Sequence, residues 1–175
     1  MKILLCAFED SLRKAWDAAL PAYLPRIGAD HAIETMRGDI TELSVTAVVS
    51  PANSYGYMRG GVDLAYTRHF GPGVEAELQA IIARLPEGFL PVGEALAVAT
   101  GNAAIPYLVS VPTMKTPMRL SGPEPVFAAS KAAVRCALKQ GYDSLAFPGM
   151  GTGTGGLSMD VAATAMLYGI CEGLG

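Results

Sequence analysis

An apolar, β-branched run at residues 45–49 leads through a polar loop bearing Asn53 and a Gly60-Gly61 pair into a helical pattern that carries Asp63. No other stretch of the 175 residues narrows the fold so far. A run without polar alternation suits a strand covered on both faces, as in parallel sheets packed between helices. The loop then marks the carboxyl end of that strand. Open α/β sheets bind ligands there, because such loops meet helix N-termini whose unpaired N–H groups favour anions. The pattern predicts a phosphate-bearing ligand.

The construction recurs near the end of the chain. Residues 145–147 read as a strand, followed by a loop with Gly149, Gly151, Gly153, Gly155 and Gly156, and Ser158 caps a closing helix. Further strands are expected at residues 3–8, 32–36, 95–100 and 107–111. Helices are expected from Asp10 or Ser11 to about Leu20, over residues 62–70 and 74–85, and from Ser121-Gly122-Pro123 to Gly141. Pro21, Pro25, Gly71-Pro72-Gly73 and Gly141 supply the stops. This alternation predicts an α/β sandwich with a mostly parallel central sheet. Both glycine-rich loops follow strands, so parallel pairing places them on one edge.

Composition excludes several classes. At this length one domain is expected, with no internal repeat or linker. Half the residues are hydrophobic and 17% are charged, without a disorder signature. A net charge of −3 with scattered Lys and Arg argues against bulk nucleic acid as partner. Cys6, Cys136 and Cys171 lack metal-like spacing and read as buried free thiols, and only His31 and His69 are available, so no metal is expected. No apolar run approaches the roughly 20 residues of a membrane span, and the N-terminus is too short in apolar residues for a signal peptide. A cytoplasmic protein without a membrane partner is expected, and self-association is not addressed by the sequence.

The individual motifs carry two readings each. Gly151, Gly153 and Gly156 formally satisfy G-x-G-x-x-G, but the chain ends before the second strand of a dinucleotide fold, and no Lys follows for a Walker loop. What remains is a backbone rich in free N–H groups, with Thr152 and Thr154 hydroxyls, suited to wrapping phosphate oxygens. Asp39 alone reads as a turn residue, Asn53 equally as an Asx-turn, and Asp63 as a helix-start carboxylate favoured by the dipole. Arg59 is an exposed charge or a phosphate contact. Tyr55, Tyr57 and Met58 either wall a base or ribose or pin the loop down.

Taken together, the motifs resemble those of the macrodomain family of ADP-ribose-binding modules. Gly38-Asp39-Ile40-Thr41 matches the family's GDIT, and Val49-Ser50-Pro51-Ala52-Asn53 looks like its VNAAN. Gly60-Gly61-Val62-Asp63 resembles GGGVD, and residues 148–156 resemble PAIGTGxxG. The four occur in family order from about Arg37 onward. The resemblance implies a three-layer α/β/α sandwich with a mixed, mostly parallel sheet in a single domain over residues 1–175, to which residues 1–22 add an extra strand and helix. It implies that Asp39 accepts from the adenine amino group beside the Ile40 backbone and that Asn53 faces the distal ribose. Gly60, Gly61 and Val62 would meet the pyrophosphate, with Gly151, Thr152, Gly153, Thr154 and Gly155 closing over it.

In the MacroD-type hydrolytic branch an Asn and an Asp ten residues apart flank the distal ribose, as Asn53 and Asp63 do in spacing. The implied activity is hydrolysis of an ADP-ribosyl linkage on a protein side chain or related ester. Asp63 would activate water, Asn53 would orient the ribose, and no cofactor is needed. The alternatives are a non-catalytic ADP-ribose reader and a degenerate macrodomain binding another nucleotide. Departures from the family pattern are Ser50 for the first Asn of VNAAN, Arg59 for the first Gly of GGGVD, and Gly155 where an aromatic often stands. Residues 108–111 also replace the usual IIHAV.

Overall fold

The computed structural model describes residues 1–175. Six strands form one sheet: β1 (Lys2–Ala7), β2 (Ala32–Arg37), β3 (Ala47–Ser50), β4 (Leu96–Ala99), β5 (Tyr107–Ser110) and β6 (Ser144–Phe147), in the order β2-β1-β6-β3-β5-β4. All neighbours are parallel except β4 and β5. Five helices cover the sheet: α1 (Asp10–Ala19), α2 (Gly61–Phe70), α3 (Gly73–Ile82), α4 (Glu124–Gln140) and α5 (Met159–Leu174). The result is the expected three-layer α/β/α sandwich with a mixed, mostly parallel sheet.

Burial explains the apolar runs. Every residue of β3 is buried, because its side chains alternate between two cores. Ala47 and Val49 join the larger core beneath α1, α4 and α5, while Val48 faces the smaller one beneath α2 and α3. The exception to parallel pairing has a local cause. A short turn joins β4 to β5, with the Asn102 side-chain oxygen accepting from Ala104 N (2.9 Å) and Ile105 N (3.1 Å), and such a link leaves no room for a crossover.

The helices on the larger core pack closely. Gly169 of α5 lies against α4 so tightly that a Cβ there would come within 2.4 Å of the Phe127 carbonyl oxygen. One expected cap is not formed. Glu9 occupies the N-cap of α1 without a side-chain bond, and Asp10 lies in the first turn, bonded to Arg13 and Lys14. Ser158 does cap α5, accepting from Val161 N. Cys6 and Cys171 are buried, Cys136 is half-buried, and all three are free thiols.

The N-terminal strand lies inside the sheet, paired with both β2 and β6. The strand order thereby sets the position of the cleft. After β3 the chain crosses to α2 on one face, and after the adjacent β6 it crosses to α5 on the other. Loops that part in this way open a crevice at the carboxyl edge.

Candidate functional site

Both glycine-rich loops border that crevice. On the β3 side, Gly60 occupies the N-cap of α2 in an extended conformation and provides no side-chain cap. The first-turn N–H groups of α2 are therefore left for an anion. Gly61 has φ +54°, in the left-handed region that suits glycine, with nothing within 4 Å of a Cβ added there. On the β6 side the amides of residues 151–155 donate to no protein acceptor. The loop holds its shape through bonds at its rim: Leu157 N to Gly151 O (2.9 Å), Gly156 N to Gly153 O (3.0 Å) and Leu120 N to Gly155 O (2.9 Å). Two banks of free N–H groups thus flank the β3–β6 boundary. Such a concavity of backbone dipoles favours oxygen anions.

Asp63 lies at the base of the first bank. It is buried, 7% exposed, and its Oδ1 accepts from the Ser50 hydroxyl at the end of β3. Burial pushes its carboxyl up to about 7, against the opposing effect of the Ser50 bond. Tyr66, one turn further on, is also fully buried and donates to Val49 O (2.9 Å), locking α2 onto β3.

Asn53 projects from the same loop without touching Asp63. Its Oδ1 accepts from Tyr55 N (3.0 Å) and Tyr57 N (3.5 Å), so the Asx-turn reading holds. Its amide N–H groups donate to nothing in the protein. Met58 is a core residue, and its N–H donates to Glu75 of α3 (2.6 Å). Tyr55 packs near Phe89, leaving Tyr57, 49% exposed, as the one large hydrophobic side chain of this loop open to solvent. The Arg59 guanidinium rests over the Tyr57 ring (5.0 Å) and 3.7 Å from Glu75.

At the far end, Asp39 caps a short 3₁₀ turn (Ile40–Glu42). Its Oδ1 accepts from the Thr41 hydroxyl (2.7 Å) and N–H (2.9 Å), and these bonds hold the carboxyl below its ordinary range. The Oδ2 oxygen stays free to accept from a ligand. Ile40 is buried beneath. Beside it stands Phe8, 82% exposed at the end of β1, where Ala7 O accepts from Gly38 N (3.0 Å). The sequence reading placed Phe8 inside a strand and missed it. The signal was the charged Glu9-Asp10 that follows, which ends the strand at Ala7 and leaves the ring beyond it. Glu75 was missed too, and no local pattern betrays its reach back to Met58.

No three His, Cys, Asp or Glu side chains cluster to hold a metal ion, and no helix is long and apolar enough to cross a membrane. A second concavity of about 510 Å³, lined by Phe127 and Tyr168 between α4 and α5, contains none of the motif residues.

An open α/β module with an anion cradle at its switch point is the class that the fold and site define. The comparisons place it further. The family model described as Macro domain matches residues 49–166, and the chain belongs to that family. It is 38% identical over 135 residues to a protein of Aquifex aeolicus, covering 77% of this chain and 78% of that one. It is also 34% identical over 139 residues to O-acetyl-ADP-ribose deacetylase 1 of Pantoea vagans, covering 77% and 78%. Among solved structures, the macrodomain of Thermus aquaticus DarG superposes with a TM-score of 0.67 at 27% identity, over 77% of this chain and 87% of that one.

Proposed function

We propose that the protein binds ADP-ribose or a close derivative and hydrolyses an ADP-ribosyl linkage at the distal ribose. The two banks of free amides, with the buried Asp63 carboxyl beneath one of them, carry this reading. The pyrophosphate lies between the N-terminus of α2 (Gly60, Gly61, Val62) and residues 151–155. The free Oδ2 of Asp39 accepts from the adenine amino group, and Phe8 offers the base a flat apolar face. The free amide of Asn53 donates to a distal ribose hydroxyl and fixes the anomeric carbon relative to Asp63. Asp63 then takes a proton from water as the water oxygen bonds to the anomeric carbon. The bond to the carrier breaks, and the departing oxygen leaves with its electron pair. A carboxyl that titrates near neutrality is suited to that exchange. The Pantoea vagans relative, named for an acetylated ADP-ribose, supports a derivative of ADP-ribose as the ligand class.

A non-catalytic reader is the second reading, favoured by the engagement of Asp63 with Ser50 and its low exposure. Calorimetric titration with ADP-ribose, alongside a hydrolysis assay on an ADP-ribosylated peptide and on O-acetyl-ADP-ribose, separates the two. Binding retained and turnover lost in Asp63→Ala supports the enzyme. Binding without turnover in the unmodified protein establishes the reader. Absence of ADP-ribose affinity overturns both and leaves a domain for another nucleotide.

A further inference from the structure

One buried hydroxyl near the site has no partner. Ser110 ends β5 with no exposure, and its Oγ neither donates nor accepts within the protein. Unpaired buried polar groups are rare and call for an explanation. Ser110 stands in register with Ser50 of β3, so the two residues face the same side of the sheet on adjacent strands, the side that carries α2. Neighbouring parallel strands lie about 4.8 Å apart, and a serine oxygen changes position by rotation about a single bond. Ser50 in turn donates to Asp63. A hydroxyl that donates keeps its lone pairs for another donor.

We propose that Ser110 and Ser50 form a hydrogen-bond chain that ends on Asp63, and that both are positioning residues for the protonation of its carboxyl. Ser50 must donate to Asp63 whenever the carboxyl is ionised. The lone pairs of Ser50 then become the best acceptor available to the buried Ser110 hydroxyl, and each bond in such a chain polarises the next. With Asp63 protonated, Ser50 need not donate and the chain loosens. The chain therefore favours the ionised carboxyl and opposes the effect of burial.

Other ionisable groups near Asp63 do not explain this tuning. Tyr66 on α2 is itself held protonated by burial, and Cys6 of β1 and Asp39 after β2 act on Tyr66 in the same direction. Glu75 of α3 is engaged by Met58 N and Arg59. His69, in the last turn of α2, lies near Asn102 and helps to lower Asp39. The inference rests on the hydrolytic reading for its functional meaning, but its physical content does not depend on turnover.

The test measures the titration midpoint of Asp63 by carbon-13 NMR of its carboxyl, together with the pH profile of kcat/KM. In the unmodified protein both midpoints are expected near pH 7. Ser50→Ala is expected to raise them by about one unit and Ser110→Ala by about half a unit, while Ser50→Thr keeps the hydroxyl and the midpoint. Ser110→Ala made in the Ser50→Ala background is expected to add nothing, because the link between them is gone. An unchanged midpoint in Ser110→Ala overturns the chain, as does an equal shift in the presence and absence of Ser50. If Ser50→Ala does not fold, the comparison of Ser110→Ala with Ser110→Thr decides, since only the former loses the hydroxyl. Midpoints that move as stated in a protein without turnover sustain the chain and remove the hydrolytic reading. Turnover with unmoved midpoints does the reverse.

Discussion

The carbonyl oxygen of Gly151 fills the place that a side chain on Gly155 needs, 2.7 Å from an ideal Cβ. That carbonyl also accepts from Leu157 N, so it is not free to move aside. This accounts for the absence of an aromatic at position 155: in this loop the backbone itself occupies the space. Gly155→Ala is expected to lower stability by about 1–3 kcal/mol and to weaken ADP-ribose binding as the loop amides shift. Gly153→Ala is the control, since nothing lies within 4 Å of its Cβ and its φ is not in the left-handed region. Urea unfolding and calorimetry check both. Equal effects of the two substitutions would refute the steric account.

Asp63 is a group that the fold keeps at a cost. An unfolded aspartate titrates near pH 3.9, whereas burial holds Asp63 to about 7. Between those values the folded chain keeps a proton that the unfolded chain has lost, so stability falls as pH rises and levels off above about 7. Asp63→Asn removes this dependence. Its advantage over the unmodified protein is expected to be nearly absent at pH 4 and to reach roughly 4 kcal/mol at pH 8, with turnover lost. Denaturant midpoints at the two pH values measure it, and a difference that does not vary with pH sinks the argument.

Much of the fold was legible because both covered faces leave their mark on single strands. Residues 47–49 carry no polar alternation, Gly141 closes α4 in the left-handed conformation, and Ser158 caps α5. The loops were legible for a related reason, since glycines and an Asx residue are local devices. What stayed hidden depends on register and on reach across the sheet. Ser50 and Ser110 are far apart in sequence and come into register only because β3 pairs with β5. Phe8 reads as an ordinary strand residue, and its place beside Asp39 follows only from the Gly38 N to Ala7 O bond that joins the ends of the two strands. The readings of Asn53 as a turn residue and as a ligand contact were not rivals, since one end of the amide holds the turn and the other is left free.

Phe8 offers a test of the proposed base-binding end alone. A ring that is 82% exposed contributes little to the core, so Phe8→Ala is expected to change stability by no more than about 0.5 kcal/mol. An aromatic contact with a base is worth about 0.5–1.5 kcal/mol, which corresponds to roughly a two- to tenfold loss of ADP-ribose affinity. Phe8→Tyr retains the ring and is expected to bind normally. Affinity for ribose 5-phosphate, which lacks the base, should be the same in all three proteins. Loss of that affinity in Phe8→Ala would place the ring elsewhere in the cleft.

Two substitutions at Asn53 separate its two ends. Asn53→Asp keeps an oxygen where Tyr55 N and Tyr57 N donate, so the turn is preserved while the amide donor is lost. Asn53→Ala loses both, leaving the two backbone N–H groups without that acceptor and freeing the loop that leads to Gly60. If the free end orients the ribose, Asn53→Asp is expected to unfold at the same denaturant concentration as the unmodified protein yet turn over roughly 100-fold more slowly. Asn53→Ala should lose stability by about 1 kcal/mol as well as turnover. An Asn53→Asp protein with full turnover would reduce Asn53 to a turn residue. It would also leave the orientation of the distal ribose to the backbone of α2 and residues 151–155.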